Sequence, residues 1–330
     1  MKQAMVNNYS DLDDMPKPNK KSFFGEFKKQ WQSQAMVIPG IIFLIIFSYI
    51  PLYGIIAAFK DYDLNLGFFG SPWAVNSAGE IDIFKHFKRF MEDRLFWQAV
   101  KNTLIINLLG LLITFPAPIF FSLLLSEIQN KGYKKTIQTV TYMPYFISWI
   151  VFGGLIMKLL DPATGALGQL FVALGWTEKG DSLLSSPDYI YAITIISRLI
   201  KDVGWGSIIY LAALTSIADE LIEAADLEGA NRFQKMKYIS LPTIQGTVAL
   251  YFIFAVSGML GSNFDQMYIL QNNFNKATSD VIDTYVYNIG IRGGDWSYST
   301  ALGLARSVIA FALLIMANFF SKKISGNGLY

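Results

Sequence analysis

Six stretches of this sequence are apolar for long enough to cross a lipid bilayer, and nothing else in it limits the fold as tightly. A helix rises about 1.5 Å per residue, so about 20 apolar residues cover a ~30 Å hydrocarbon core. The stretches are 36–59, 100–125, 137–157, 190–213, 248–262 with semi-polar flanks, and 301–320. Pro39, Pro51, Pro116, Pro118 and Pro144 fall inside or at the ends of these runs. Such prolines are tolerated where neighbouring helices satisfy the backbone groups they free. Composition agrees: 53% of residues are hydrophobic and 16% charged, against about 25% charged in a soluble domain. The expected fold is all-α, integral to the membrane, with six transmembrane helices.

One His, no Cys and a net charge of +2 argue against a metal site, a thiol enzyme and a nucleic-acid binder. Residues 1–35 hold no apolar core of a cleavable signal, so the first span itself is expected to direct insertion. Basic residues set the orientation. Lys2, Lys17, Lys20, Lys21, Lys28 and Lys29 precede the first span. Lys131, Lys134 and Lys135 lie in the second loop, Arg232, Lys235 and Lys237 in the fourth, and Lys322 and Lys323 in the tail. Six spans put these segments on one side, which the positive-inside rule makes cytoplasmic. The first loop dissents, carrying Lys85, Lys88, Arg89 and Arg94 to the outside; Phe84, Phe87 and Phe90 between them predict an amphipathic segment lying on the membrane. Phe23, Phe24, Phe27 and Trp31, flanked by lysines, predict a second interfacial helix. The expected organisation is a cytoplasmic N-terminal tail (1–35), a transmembrane domain (36–323) and a short cytoplasmic tail (324–330), in a bacterial cytoplasmic membrane.

The loop between spans four and five is the most informative. It reads Glu223-Ala224-Ala225-Asp226-Leu227-Glu228-Gly229-Ala230, then Phe233, then Ile239-Ser240-Leu241-Pro242. Physically this is a helix ended by a glycine that can take φ > 0, followed by a second short helix stopped at Leu-Pro. The alanine pair keeps one side of the resulting knob thin enough to enter a groove on another protein. Glu-Ala-Ala, three residues, Gly, nine residues, Ile-x-Leu-Pro resembles the EAA loop of binding-protein-dependent ABC importer permeases. Phe96 to Leu104 and Gly204 to Leu214 resemble further segments of the sugar-importing subfamily. Phe59-Lys60-Asp61-Tyr62 and Ser257-Gly258-Met259-Leu260-Gly261 are similar to the branch handling complex oligosaccharides, including alginate and other polysaccharide fragments.

The resemblance implies a type I ABC importer: two permease subunits, here a heteromer by preference, two cytosolic ATPases and an outside solute-binding protein that delivers an oligosaccharide. It implies that Glu223, Ala224, Ala225, Gly229, Ala230, Ile239, Leu241 and Pro242 couple this chain to an ATPase, with Glu223 pairing to a basic residue there and Gly229 making the turn. No G-x-x-x-x-G-K-[ST] occurs in the chain, so it has no loop to cradle nucleotide phosphates. ATP and Mg are then bound by the partner, no cofactor by this chain, and the chain is not itself an enzyme.

Tyr145 and Trp149 are spaced i, i+4, so on a continuous span three their rings share one face, where they can stack on the apolar C–H face of a pyranose. Trp and Tyr are also ordinary residues of the membrane–water belt. The resemblance adds Val203, Gly204 and Trp205 before the loop, and Ser257 and Asn263 after it, as substrate contacts. Arg198, Lys201 and Asp202 in span four stay open between lining a watered cavity, forming a structural ion pair, and lying at the outer interface of a later-starting helix. Arg306 either snorkels or faces the subunit seam. A permease for a non-sugar solute is the nearest alternative. An ion-coupled secondary transporter is disfavoured by the absence of a repeated half, and a membrane enzyme by the lone His86.

Overall fold

The computed structural model describes residues 31–178, 180–261 and 264–326. Among these residues the chain is helical, with no strand and two isolated bridges, Lys60 with Trp73 and Val75 with Ile81. The interfacial segment expected over Phe23, Phe24 and Phe27 lies outside them. Contacts divide the chain into residues 1–55 and 56–330.

Among the described residues three helices are long and apolar enough to cross a membrane: Trp31–Phe59, Arg94–Ser126 and Trp296–Lys323. Two more candidate spans are bent pairs, Lys131–Phe146 with Trp149–Leu160 at 101°, and Arg232–Thr243 with Gln245–Ser257 at 65°. The remaining stretch is one unbroken helix, Ile190–Leu214, carrying Arg198, Lys201 and Asp202. Its 25 residues make it roughly 37 Å long.

Prolines explain much of the helix geometry. A proline inside a helix lacks an N–H, and its ring collides with the carbonyl four residues back. Ahead of Pro51, Pro116 and Pro242 the helix widens into a π turn: Ile45–Tyr49, Gly110–Thr114 and Met236–Ser240. In each case the residue just before the proline donates five residues back, Ile50 to Ile45, Phe115 to Gly110 and Leu241 to Met236. The carbonyl that would collide lies inside the widened turn, so the helix continues past the proline. At Pro242 it runs on only to Thr243 before the 65° bend, so Leu241-Pro242 marks the end of this helix, as expected from the sequence.

In residues 56–330 the Ile190–Leu214 helix is central, packing on Pro116–Ser126, on Lys131–Tyr142 and on Arg94–Leu109. Ile119, Leu123, Tyr210, Leu214 and Ile244 form one apolar cluster around it, and Ile106, Leu184, Ile190, Met267, Leu270 and Val281 another. Side-chain amides and hydroxyls tie the irregular segments down. Asn102 donates to the carbonyls of Ala277 (3.0 Å) and Asp280 (2.9 Å) and accepts from Tyr191, while Thr103 accepts from the N–H of Ile282. That gives a physical reason for Asn102-Thr103 in the 96–104 segment.

The first loop turns two of its three phenylalanines, Phe87 and Phe90, into the protein and leaves Phe84 exposed. Lys85–Glu92 is a helix; Phe90 is buried with Ala99, Tyr285, Tyr298 and Leu302, and Phe87 and Phe96 pack against them. Three of its four cations have acidic partners: Lys85 with Asp61 (2.8 Å), Lys88 with Asp82 (2.8 Å) and Arg89 with Asp295 (2.6 Å). Cations paired within the protein in this way need no lipid headgroup. Arg306 is likewise held inside the protein. It pairs with Asp283 and lies over Gly261, where a Cβ would collide with the guanidinium.

Candidate functional site

Sequence reading placed Tyr145 and Trp149 on one helix face; the backbone separates them. The Lys131–Tyr142 helix ends in a tight turn, Met143–Phe146, and Trp149 opens the next helix, which Ser148 caps by accepting from the N–H of Val151. At the break the Pro144 carbonyl accepts from the Ile147 N–H, while those of Tyr145 and Ile147 have no backbone donor, in a stretch of chain long and apolar enough to sit in lipid. Lys201 takes them. Its ammonium donates to the carbonyls of Pro144 (3.1 Å), Tyr145 (2.8 Å) and Ile147 (2.5 Å).

The rings meet around that same ammonium. Its nitrogen lies 5.6 Å from the Tyr145 ring centroid, 5.5 Å from Trp149 and 5.8 Å from Phe152. Tyr145 stacks on Trp205, centroids 4.6 Å apart and planes within 5°. Phe146 meets Trp205 edge-on at 5.3 Å. Tyr145 is thus stacked on Trp205, and it shares the Lys201 ammonium with Trp149.

Gly204 is buried where the Ile190–Leu214 helix crosses Lys131–Tyr142; a Cβ there would run into the Thr141 carbonyl. Its visible contribution is close approach of the helices, and Val203 beside it is half-buried. Ser257 ends the Gln245–Ser257 helix and donates to its own turn, at the Phe254 carbonyl. Its neighbours Phe254 and Gly258 line a cleft of about 260 Å³ with Asn107, Arg198, Asp202 and Gly206. An adjoining cleft of about 380 Å³ shares Thr114, Phe115, Pro118 and Gly206 with it and reaches Trp205. Asn263 lies outside the described residues.

Arg198 sits eight residues into its helix, so it is not at a late start. It faces Asp202 at 3.9 Å and donates to Asn107 at 3.5 Å, and Asn107 in turn donates to the Met259 carbonyl at 2.7 Å. Both open readings hold in part: Arg198 and Asp202 pair and line a cleft, while Lys201 points away into the helix break. The cationic character of Lys201 was legible in the sequence; its targets, more than fifty residues earlier, were not.

At the other candidate site, Asp219–Leu227 ends at Gly229, whose φ is +79°. Gly229 donates to the Asp226 carbonyl and Ala230 to that of Ala225, the hydrogen-bond pair of a Schellman turn. Asn231 and Gln234 then cap each other to start Arg232–Lys235, and Lys235 bridges back to Asp226 at 2.6 Å. The corner leaves large apolar side chains in the open: Leu227 is 91% exposed, Phe233 71% and Tyr238 67%. Glu223 and Ala224 are exposed and Ala225 half-buried.

Residues 106–326 match the family of the binding-protein-dependent transport system inner membrane component. The chain belongs to this family. It is 37% identical over 309 residues to protein LplB of Bacillus subtilis, 94% of each chain. The polygalacturonan/rhamnogalacturonan transport system permease protein YteP of the same organism is 36% identical over 295 residues, 89% of each chain. The fold superposes on a solved bacterial alginate ABC transporter, in complex with its alginate pentasaccharide-bound periplasmic protein, with a TM-score of 0.81 and 34% identity, covering 93% of this chain and 99% of that one. This chain therefore has the type I ABC importer permease fold and is a membrane permease component.

Proposed function

We propose that this permease forms half of the pathway of an ATP-driven, binding-protein-dependent importer of oligosaccharides released from polysaccharides. The observation that carries the reading is the set of three aromatic rings, Tyr145, Trp149 and Trp205, gathered at one break in a membrane helix. Rings so placed offer apolar faces to pyranose C–H faces. Relatives named for polygalacturonan, rhamnogalacturonan and alginate support this cargo class.

On this reading the chain spans the membrane six times with both termini in the cytoplasm, counting Ile190–Leu214 with the three apolar helices and the two bent pairs. A different permease chain completes the pathway, an outside binding protein delivers the sugar, and two ATPase subunits bind ATP and Mg. The exposed corner around Gly229 docks on one ATPase, with Glu223, Ala224, Ala225 and Ala230 on its first helix and turn, and Ile239, Leu241 and Pro242 behind. Substrate contacts are Tyr145, Trp149 and Trp205, with Val203 and Gly204 behind them and Ser257 and Asn263 across the adjoining clefts.

The test is uptake of labelled oligogalacturonides by proteoliposomes of the co-purified complex. Uptake needing both ATP and the binding protein is expected. Uptake by the permease without an ATPase, or none of any oligosaccharide, rejects the reading.

A further inference from the structure

We propose that Lys201 is a positioning residue for the sugar: it holds open the break in the Lys131–Leu160 span and fixes the rings that face the cargo. The proposal rests on the oligosaccharide reading above. An ammonium has three hydrogens to donate, and the three carbonyls of Pro144, Tyr145 and Ile147 lie 3.1, 2.8 and 2.5 Å from this one. Every donor is spent on the break. The charge also sits at the C-terminal end of the Lys131–Phe146 helix, where the macrodipole is negative.

Its placement separates it from the cargo. Lys201 is 5% exposed, whereas Tyr145 and Trp205 are 39% and 41% exposed. The cation stands behind the rings, so it acts on a sugar through them. Removing it leaves the Tyr145 and Ile147 carbonyls without their donor and the Pro144 carbonyl with the Ile147 N–H alone, which costs free energy where the protein buries them. The span can recover those bonds only by rewinding through Ile147, which rotates Trp149 relative to Tyr145 and ends the arrangement around Trp205.

The experiment uses the full transporter in proteoliposomes with its loaded binding protein, comparing Lys201→Met, Lys201→Arg, Trp149→Ala and the double variant Lys201→Met/Trp149→Ala. Uptake is normalised to permease co-purified with its ATPase, so lost assembly does not count. Lys201→Met and Trp149→Ala are each expected to cut normalised uptake about tenfold to a hundredfold, the loss of a buried aromatic contact. Lys201→Arg, which keeps a cationic donor, is expected to retain more than Lys201→Met. Because both singles disable the same rings, the double variant should fall within about twofold of the worse single.

Losses that multiply in the double variant, or unchanged normalised uptake in Lys201→Met, overturn the proposal. If Lys201→Met does not assemble, Lys201→Gln, which keeps an NH₂ donor, takes its place in the cycle; failure of both to assemble assigns Lys201 to folding alone and also overturns it. Wild-type complex that takes up no oligosaccharide ends the cargo reading, and this one with it. Wild-type uptake with multiplying losses ends this one only.

Discussion

Pro116 and Pro144 lie in neighbouring apolar runs of the same helical core, and their helices end differently. At Pro116 the Arg94–Ser126 span runs on, because the π turn Gly110–Thr114 moves the offending carbonyl aside within the same helix. At Pro144 the span breaks and turns by 101°, and the released carbonyls are satisfied by Lys201 from another helix. A proline alone does not decide between kink and continuation. Where the repair is local the helix survives; where a distant donor serves the carbonyls, the break becomes a stable place to mount side chains. The corner at Gly229 is a third solution, made by backbone alone and outside the apolar runs.

The largest expected effect is at that third solution. Gly229→Val puts a β-branched residue at φ +79°, a strain of about 1–3 kcal/mol, and transport should be blocked with the protein still in the membrane. Normal uptake and ATPase rate in the variant would remove the corner from the coupling path.

Next comes the crossing that backs the Pro144 break. Gly204→Val drives a Cβ into the Thr141 carbonyl, which is backbone and cannot step aside. Overpacking of this kind costs about 1–3 kcal/mol, so the yield and melting temperature of purified transporter should fall clearly. Gly206→Ala meets only the Pro118 side chain, at 3.0 and 3.2 Å, and should be milder. Equal melting temperatures for the two variants would show that the crossing is not as tight as described.

The prolines themselves should matter less. If Lys201 holds the break, Pro144→Ala keeps normalised uptake within about threefold, or less than 1 kcal/mol, and Pro116→Ala does no worse. A Pro144→Ala loss as deep as that of Trp149→Ala would mean the proline, not the lysine, shapes the span.

The smallest effect concerns the helix start at Arg94, where a local cap suffices. Asp93 caps Arg94–Leu109; burial would raise its pKa, but hydrogen bonds from Tyr285, the N–H groups of Leu95 and Phe96, and Tyr298 hold it below its ordinary 3.8. A depressed folded value contributes stability above the unfolded pKa and loses it as pH falls through the folded one. The melting-temperature gap between wild type and Asp93→Asn should therefore be flat from neutral pH to about 5 and close below about 4. A gap that widens on acidification would contradict the assignment.

What was legible in the sequence follows the same division between local and distant causes. The apolar runs gave the all-helical membrane fold, since hydropathy needs no partner. The Gly229 corner was legible because the glycine that ends the helix lies in the same short segment; the mutual capping of Asn231 and Gln234 appeared only in the fold. Pro242 was legible as a helix end, but the widened turn before it leaves no mark in residue type. The 137–157 run reads as one span because its hydropathy is continuous, and the lysine whose ammonium meets the carbonyls at its break lies in another helix. The first-loop cations were visible, but Asp61, Asp82 and Asp295 could be matched to them only by the fold. Arg306 waited on Asp283 and Gly261 for the same reason.

The central claim is that a membrane helix broken at Ile147, and pinned there by Lys201, presents the rings that hold the cargo. Cryo-electron microscopy of the assembled transporter with oligosaccharide trapped in the membrane tests it most directly. The account predicts a bent Lys131–Leu160 span, the Lys201 ammonium on the Pro144, Tyr145 and Ile147 carbonyls, and a sugar ring in van der Waals contact with Trp149 and with Tyr145 or Trp205. A continuous helix through Ile147, or sugar bound away from all three rings, would contradict it.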